Sequence, residues 1–218
     1  MDSVSDNIEF LSRLIRGIAE HFGDKCEVVL HDLKDKPYES TIVAIENGHV
    51  TGRRVGDCGT NLGLEVLRGT DKQGDRYNYM TQTKEGRILK SSSIYIRDES
   101  GAAVGSICIN FDVTNLIMAE RTLAAFTNHS LHSPSKVDQV AEYFTGEVGN
   151  LLDQLIQDSI RHVGKPVINM TKEDKKRGIQ YLDTRGTFLI KKSADKIAKY
   201  YDISKYTLYS YLEETRTA

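Results

Sequence analysis

Residues 194–212, ADKIAKYYDISKYTLYSYL, leave the end of this chain little conformational freedom. Ile197, Ala198 and Tyr201 recur at helical spacing, Asp202-Ile203 interrupts, and a second periodic run starts at Ser204 and continues through Leu208, Tyr211 and Leu212. Two short helices broken by a tight turn are expected, the pattern of a helix-turn-helix. Small Ala198 lets the second helix cross close by, Ile203 plugs the corner, and Ser204 supplies an N-cap hydroxyl. With Leu208 and Leu212 turned inward, Lys205, Tyr206, Tyr209 and Ser210 project outward, and Ser204 and Thr207 sit at the helix start. A cation, hydroxyls and phenols at a helix N-terminus suit phosphates and base edges in a major groove. An ordinary helical hairpin that binds nothing shares this pattern. Charge favours the first reading: residues 165–218 hold 12 Lys+Arg against 7 Asp+Glu, net +5, whereas residues 1–164 hold 17 against 24, net −7.

That split also favours two modest domains over one large one in 218 residues. Apolar content of 39% beside 28% charged residues fits a globular protein with its own core. The opening MDSVSDNIEF is acidic and lacks the cationic flank of a secretory signal, and no uncharged apolar run reaches membrane-spanning length, so a cytoplasmic protein without a membrane partner is expected. Cys26, Cys58 and Cys108 are odd in number and widely spaced, which argues against a disulfide framework or structural zinc. They read as buried small hydrophobes, with redox sensing the alternative.

In chain order, Ile8, Leu11, Ile15, Ile18, Ala19 and Phe22 mark an amphipathic helix that stops at Gly23. CEVVLHDL (26–33) reads as a strand, and residues 40–46 and 49–53 as a hairpin about Asn47-Gly48. GDCGTNLG (56–63) has no Lys-Ser/Thr after its last glycine, so it is a loop into a short helix over 62–68 and not a phosphate cradle. YNYMTQT, RILKSSSIYIRD and AAVGSICINFDV follow as an antiparallel meander joined by tight turns. In the middle strand Ile88, Lys90, Ser92, Ile94 and Ile96 share a face by the period-2 rule. If the isoleucines face a core, Lys90 and Ser92 enter it too, and a pocket for a small carboxylate follows; otherwise Lys90 snorkels to water. His31 in the first strand and Asn110 in the last are further candidates for polar pocket walls.

A helix is expected over 116–126, then a loop over 128–135 whose His129 and His132 lack further ligands at metal spacing. Residues 137–163 form the longest helical pattern, with Val137, Val140, Phe144, Val148, Leu151, Leu155 and Ser159 along an approximate a/d seam. Such a face packs back on the first domain or pairs two subunits, and dimerisation is the expectation. Gly164-Lys165-Pro166 ends it. Thr171 to Asp174 resembles a capping box that opens a helix reaching Arg185 and Gly186, with Ile179 and Leu182 in the core of a three-helix unit.

The segments CEVVLHDL, STIVAIENGHVTGR, NYMTQTKEGRILKSSSIYIRD and GSICINFDVT resemble the YheO-like PAS domain family, and residues 178–214 are similar to the helix-turn-helix that accompanies it. The resemblance implies an α+β fold: an N-terminal PAS-like antiparallel sheet with helices (1–125), a long connecting and dimerisation helix (126–164), and a C-terminal three-helix helix-turn-helix domain (165–218). It implies a bacterial one-component transcriptional regulator, a homodimer that binds a double-stranded DNA operator and senses a small molecule. DauR-type relatives make an amino acid or related metabolite the implied effector class. The chain departs from the common pattern at Asp202, where such turns carry Gly, and Asp tolerates the left-handed conformation the turn needs. No catalytic residue is expected, because neither Cys108 nor His31 stands in a nucleophile elbow or a paired-carboxylate arrangement, and no metal or cofactor is expected, with haem or flavin in the PAS-like domain as the alternative the resemblance leaves open. The alternative is a protein-protein interaction module whose basic end meets an acidic protein.

Overall fold

The structure is a computed structural model that describes residues 1–71, 74–127 and 142–217. Helix α1 (Ile8–Phe22) leads into β1 (Cys26–Asp32) and β2 (Ile42–Glu46), then α2 (Asn61–Arg68). Strands β3 (Arg76–Gln82), β4 (Ile88–Arg97) and β5 (Ala103–Asp112) follow, and α3 (Thr114–Thr127) ends this half. All pairings are antiparallel, in the order β2-β1-β5-β4-β3. Strand β1, second in that order, is buried along its whole length because it is covered on both faces. On the outer face, Val28, Leu30 and Ile107 pack against Leu11, Ile15 and Ala19 of α1. The inner face lies under α2, the loop after β2 and residues 142–147, and it is mostly polar.

Two expectations change here. Asn47 does adopt the left-handed conformation (φ 53°), but it opens a 3₁₀ turn over Gly48–Val50, and residues 49–53 form no strand. The reason is tertiary: Val50 and Arg53 are drawn into the interior, 2% and 4% exposed, and a paired second hairpin strand would not bury both. The helix expected over 137–163 begins only at Val148, as α4 (Val148–Val163). Residues 142–147 precede it in extended and turn conformations, and Val137, Val140, His129 and His132 lie outside the described residues.

Helix α4 is joined by α5 (Lys172–Thr184), α6 (Ser193–Tyr200) and α7 (Lys205–Thr217). The capping box forms as expected: Thr171 Oγ1 accepts from the Asp174 amide and the Asp174 carboxylate from the Thr171 amide. Leu151, Leu155 and Ser159, read above as a seam between subunits, are buried against α5 and α6 within the same chain. Ile179, Leu182, Ile197, Tyr201 and Leu208 complete that core, so the C-terminal unit has four helices. The sheet half joins it through α2. Arg68 donates to the Asp183 carboxylate at 2.7 Å, Arg185 pairs with Glu65, and Thr70 Oγ1 donates to the Thr184 carbonyl at 2.6 Å. Among the described residues no helix is long and apolar enough to cross a membrane.

Candidate functional site

The turn between α6 and α7 is built as its residue types require. Asp202 sits at φ 49°, the Ile203 amide donates to the Ala198 carbonyl at 3.0 Å, and Ser204 Oγ accepts from the Thr207 amide at 3.0 Å. Tyr201 is fully buried with its hydroxyl 2.7 Å from Ser159 Oγ, which fixes α6 on α4. Leu208 and Leu212 then face the core, and Ser204, Lys205, Tyr206 and Tyr209 are exposed, with Thr207 and Ser210 half-buried beside them. Tyr206 is 85% exposed, unusual for so large a side chain on a folded helix. Lys205 reaches back to pair with Asp195 of α6. Periodicity did not mark Lys191, Lys192 and Lys199, which are also exposed and have no ion-pair partner among the described residues. They flank the start of α6 and its last turn, and Lys191 and Lys192 line a groove with Lys205 and Tyr209 of α7, extending its cationic surface.

The second concentration of polar groups lies on the inner face of the sheet. Glu27 and Arg53 form an ion pair at 2.7 Å whose side chains are 0% and 1% exposed. Glu27 also accepts from Asn110 Nδ2 at 2.8 Å and from Thr51 Oγ1, and Asn110 in turn accepts from Ser91 at 2.8 Å. A second chain of bonds runs from Cys108 to Ser93 and Tyr79, whose hydroxyl donates to Glu142 at 3.0 Å; Thr60 donates to the same carboxylate at 2.9 Å. Arg53 Nη1 has no hydrogen-bond partner among the described residues. Burial pushes the Glu142 carboxyl up, with Thr60, Arg53 and Tyr79 pulling against it.

A narrow cavity lies beside these groups, lined by His31, Tyr38, Thr60, Ser93, Tyr95 and Cys108, with room for about one water. Glycine is required in the loop and the first turn of α2 that roof it. A Cβ on Gly59 or Gly63 would stand 2.5 or 2.6 Å from the Tyr38 hydroxyl, which explains two glycines of GDCGTNLG without any phosphate.

Of the expected wall residues, His31 and Asn110 are on this face and buried. Lys90 is exposed on the opposite face, and Ser92, also there, accepts from the Asn78 amide at the β3 bulge. The buried face of β4 is the one with Leu89, Ser91 and Ser93, because the serines find partners there and α1 covers only part of the isoleucine face. Arg53, Thr60 and Glu142 come from loops and a helix cap, where no periodicity flags them. Glu27 had a signal: a carboxylate within an otherwise apolar strand. Cys26 and Cys58 are buried, as small hydrophobes should be, and Cys58 donates to the Thr145 carbonyl. Among the described residues no group of three or more potential metal ligands gathers.

Buried His31, 3.0 Å from Thr41 Oγ1, is held down to about 3 by burial and then by the nearby Arg53 charge. Below its ordinary pKa the unfolded chain takes up a proton that the folded chain refuses. His31 therefore contributes stability that is complete above about pH 6.5 and is lost as pH falls towards 3. Glu142, raised, acts in the opposite sense. Comparison of wild type with His31→Gln isolates the histidine: between pH 7 and pH 5 the wild type should lose about 2 kcal/mol more in urea unfolding than the variant.

The profile of the YheO-like PAS domain matches residues 2–128. This chain belongs to the YheO-like PAS domain family. In this member of the YheO-like family, a helix-turn-helix (HTH) domain profile also matches residues 151–213, which contain α5 and α6 and most of α4 and α7. An uncharacterized protein of Haemophilus influenzae is 30% identical over 205 residues, 93% of this chain and 88% of the relative. YheO of Escherichia coli, itself uncharacterized, is 28% identical over 218 residues, covering 97% and 86%. The transcriptional regulator DauR of Pseudomonas aeruginosa is 26% identical over 216 residues, 98% and 97% of the two chains.

Proposed function

We propose that this YheO-like protein is a DNA-binding transcriptional regulator whose α7 enters the major groove of an operator and whose polar inner sheet face opens to receive a small-molecule effector. The observation that carries the reading is the division of α7 into a core side and an exposed side formed by Ser204, Lys205, Tyr206 and Tyr209. The basic balance of the C-terminal residues and the likeness to DauR along nearly the whole chain support it. The same likeness points to an amino acid or a related metabolite as effector. Helix α2 suits the coupling between the two sites, since Thr60 and Asn61 at its start face the cavity region and Glu65 and Arg68 at its end hold α5. The regulator is proposed to act as a homodimer. With the α4 stripe buried within one chain, α3 is the better pairing surface, because Leu116, Met118, Leu123 and Phe126 are all 57% exposed or more.

The test is a mobility shift of the purified protein on the DNA upstream of its own gene, with and without a panel of amino acids. A competitor-resistant band, altered by one compound, is the expected result. Lys205→Ala should weaken binding and flatten the dependence of log K on log salt by about one unit if Lys205 leaves Asp195 for a phosphate. No specific shift by folded, dimeric protein would overturn the proposal.

A further inference from the structure

Residues 142–147 do more than connect the two halves. Glu142 and Phe144 alternate inward, 6% and 8% exposed, and Tyr143 between them faces the other way. Glu142 takes the hydroxyl hydrogens of Thr60 and Tyr79, and Phe144 lies under the Arg53 guanidinium at 5.1 Å from its centroid. The strap is fastened at further points: the Tyr143 amide donates to Asn61 Oδ1 at 2.8 Å and Cys58 donates to the Thr145 carbonyl. At its other side the Tyr143 hydroxyl bonds Asp158 of α4, the first helix of the C-terminal unit. An acidic side chain thus enters a polar interior from outside the sheet, beside an arginine with one unsatisfied nitrogen.

We propose that the Glu142 carboxylate is a built-in occupant of the effector site, and that a small carboxylate-bearing effector displaces it and frees residues 142–147. The incoming carboxylate takes the Thr60 and Tyr79 hydroxyl donors and satisfies the free Nη1 of Arg53. Release of the strap breaks the Tyr143–Asp158 tie, so occupancy reaches α4 without passing through α2. This inference rests on the reading of the inner face as the effector site, but it needs no operator to test.

Propionate, which matches the Glu142 side chain beyond its Cα, is the probe, titrated into the full-length protein with propionamide as its neutral counterpart. Glu142→Ala should bind propionate at least about tenfold more tightly than wild type, since a competing charge-assisted set of hydrogen bonds has been removed. Adding Tyr79→Phe should reverse about tenfold of that gain. Should Glu142→Ala not fold, Glu142→Gln keeps the volume and is expected to rank between it and wild type. In wild type at saturating propionate, hydrogen exchange at the Tyr143 and Glu147 amides should accelerate. Equal affinity of wild type and variant, equal binding of propionamide, or propionate binding without faster exchange in the strap would overturn the proposal. These readouts do not involve DNA, so their failure is distinct from failure to shift an operator.

Discussion

Replacement of Arg53 by methionine is expected to destabilise the protein by about 3–5 kcal/mol, because it leaves the Glu27 carboxylate buried without its counter-charge. The geometry makes the expectation sharp: both side chains are at most 1% exposed, so water does not substitute for the lost partner. Thr51 and Asn110 still donate to Glu27, which places the loss near the lower end of that range. Chemical denaturation of wild type and Arg53→Met measures it. The double variant Arg53→Met, Glu27→Gln should recover a large part of the loss, since no unpaired charge is then left inside. A loss below about 1 kcal/mol in the single variant would mean that the inner face opens to solvent in solution.

Leu208→Ala is expected to cost about 2–5 kcal/mol, with a thermal midpoint lowered by several degrees. Leu208 is fully buried among Ile179, Leu182, Ile197 and Tyr201, and a fixed shell of that kind collapses little around a deleted side chain. Tyr206, two residues earlier on the same helix, gives the contrast. It is 85% exposed, and Tyr206→Ala should change stability by less than about 0.5 kcal/mol while lowering DNA affinity. Thermal unfolding of the two variants beside a mobility shift separates the core side of α7 from its proposed reading side.

The helical half was legible because its signals are local. Capping at Thr171 and Ser204, the left-handed Asp202 and the spacing of Ile197, Tyr201 and Leu208 each depend on residues within a turn or two. The sheet half was legible in its strands and less so in its faces. On β4 the apolar count favours Ile88, Ile94 and Ile96, yet the buried side carries Ser91 and Ser93, whose burial depends on partners in other strands. Asn47-Gly48 illustrates the same limit. Its preference for positive φ is met by Asn47, but whether a hairpin or a 3₁₀ turn follows is decided by the burial of Val50 and Arg53. The seam of α4 failed in another way: a heptad-like stripe looks the same whether the partner is a second subunit or α5 and α6. The polar network was the least visible, since Arg53 and Glu27 are 26 residues apart and Glu142 stands 82 residues from Thr60.

Asp183 receives Arg68 from the sheet half and Arg216 from the end of α7, the latter through two bonds of 2.6 and 3.0 Å. One carboxylate is therefore both the anchor of the interdomain contact and the pin at the far end of the exposed helix. With 13 residues, α7 is about 20 Å long, so under the proposed function a tilt of the helical unit about Asp183 as pivot is felt most at the Ser204 end. A rotation of about 5° at the pivot displaces the Ser204 end by about 1.7 Å, on the order of half a hydrogen-bond length. In the proposed homodimer the two Ser204 ends would move apart or together by twice that amount, enough to bring both into register with a pair of DNA half-sites or take both out of it.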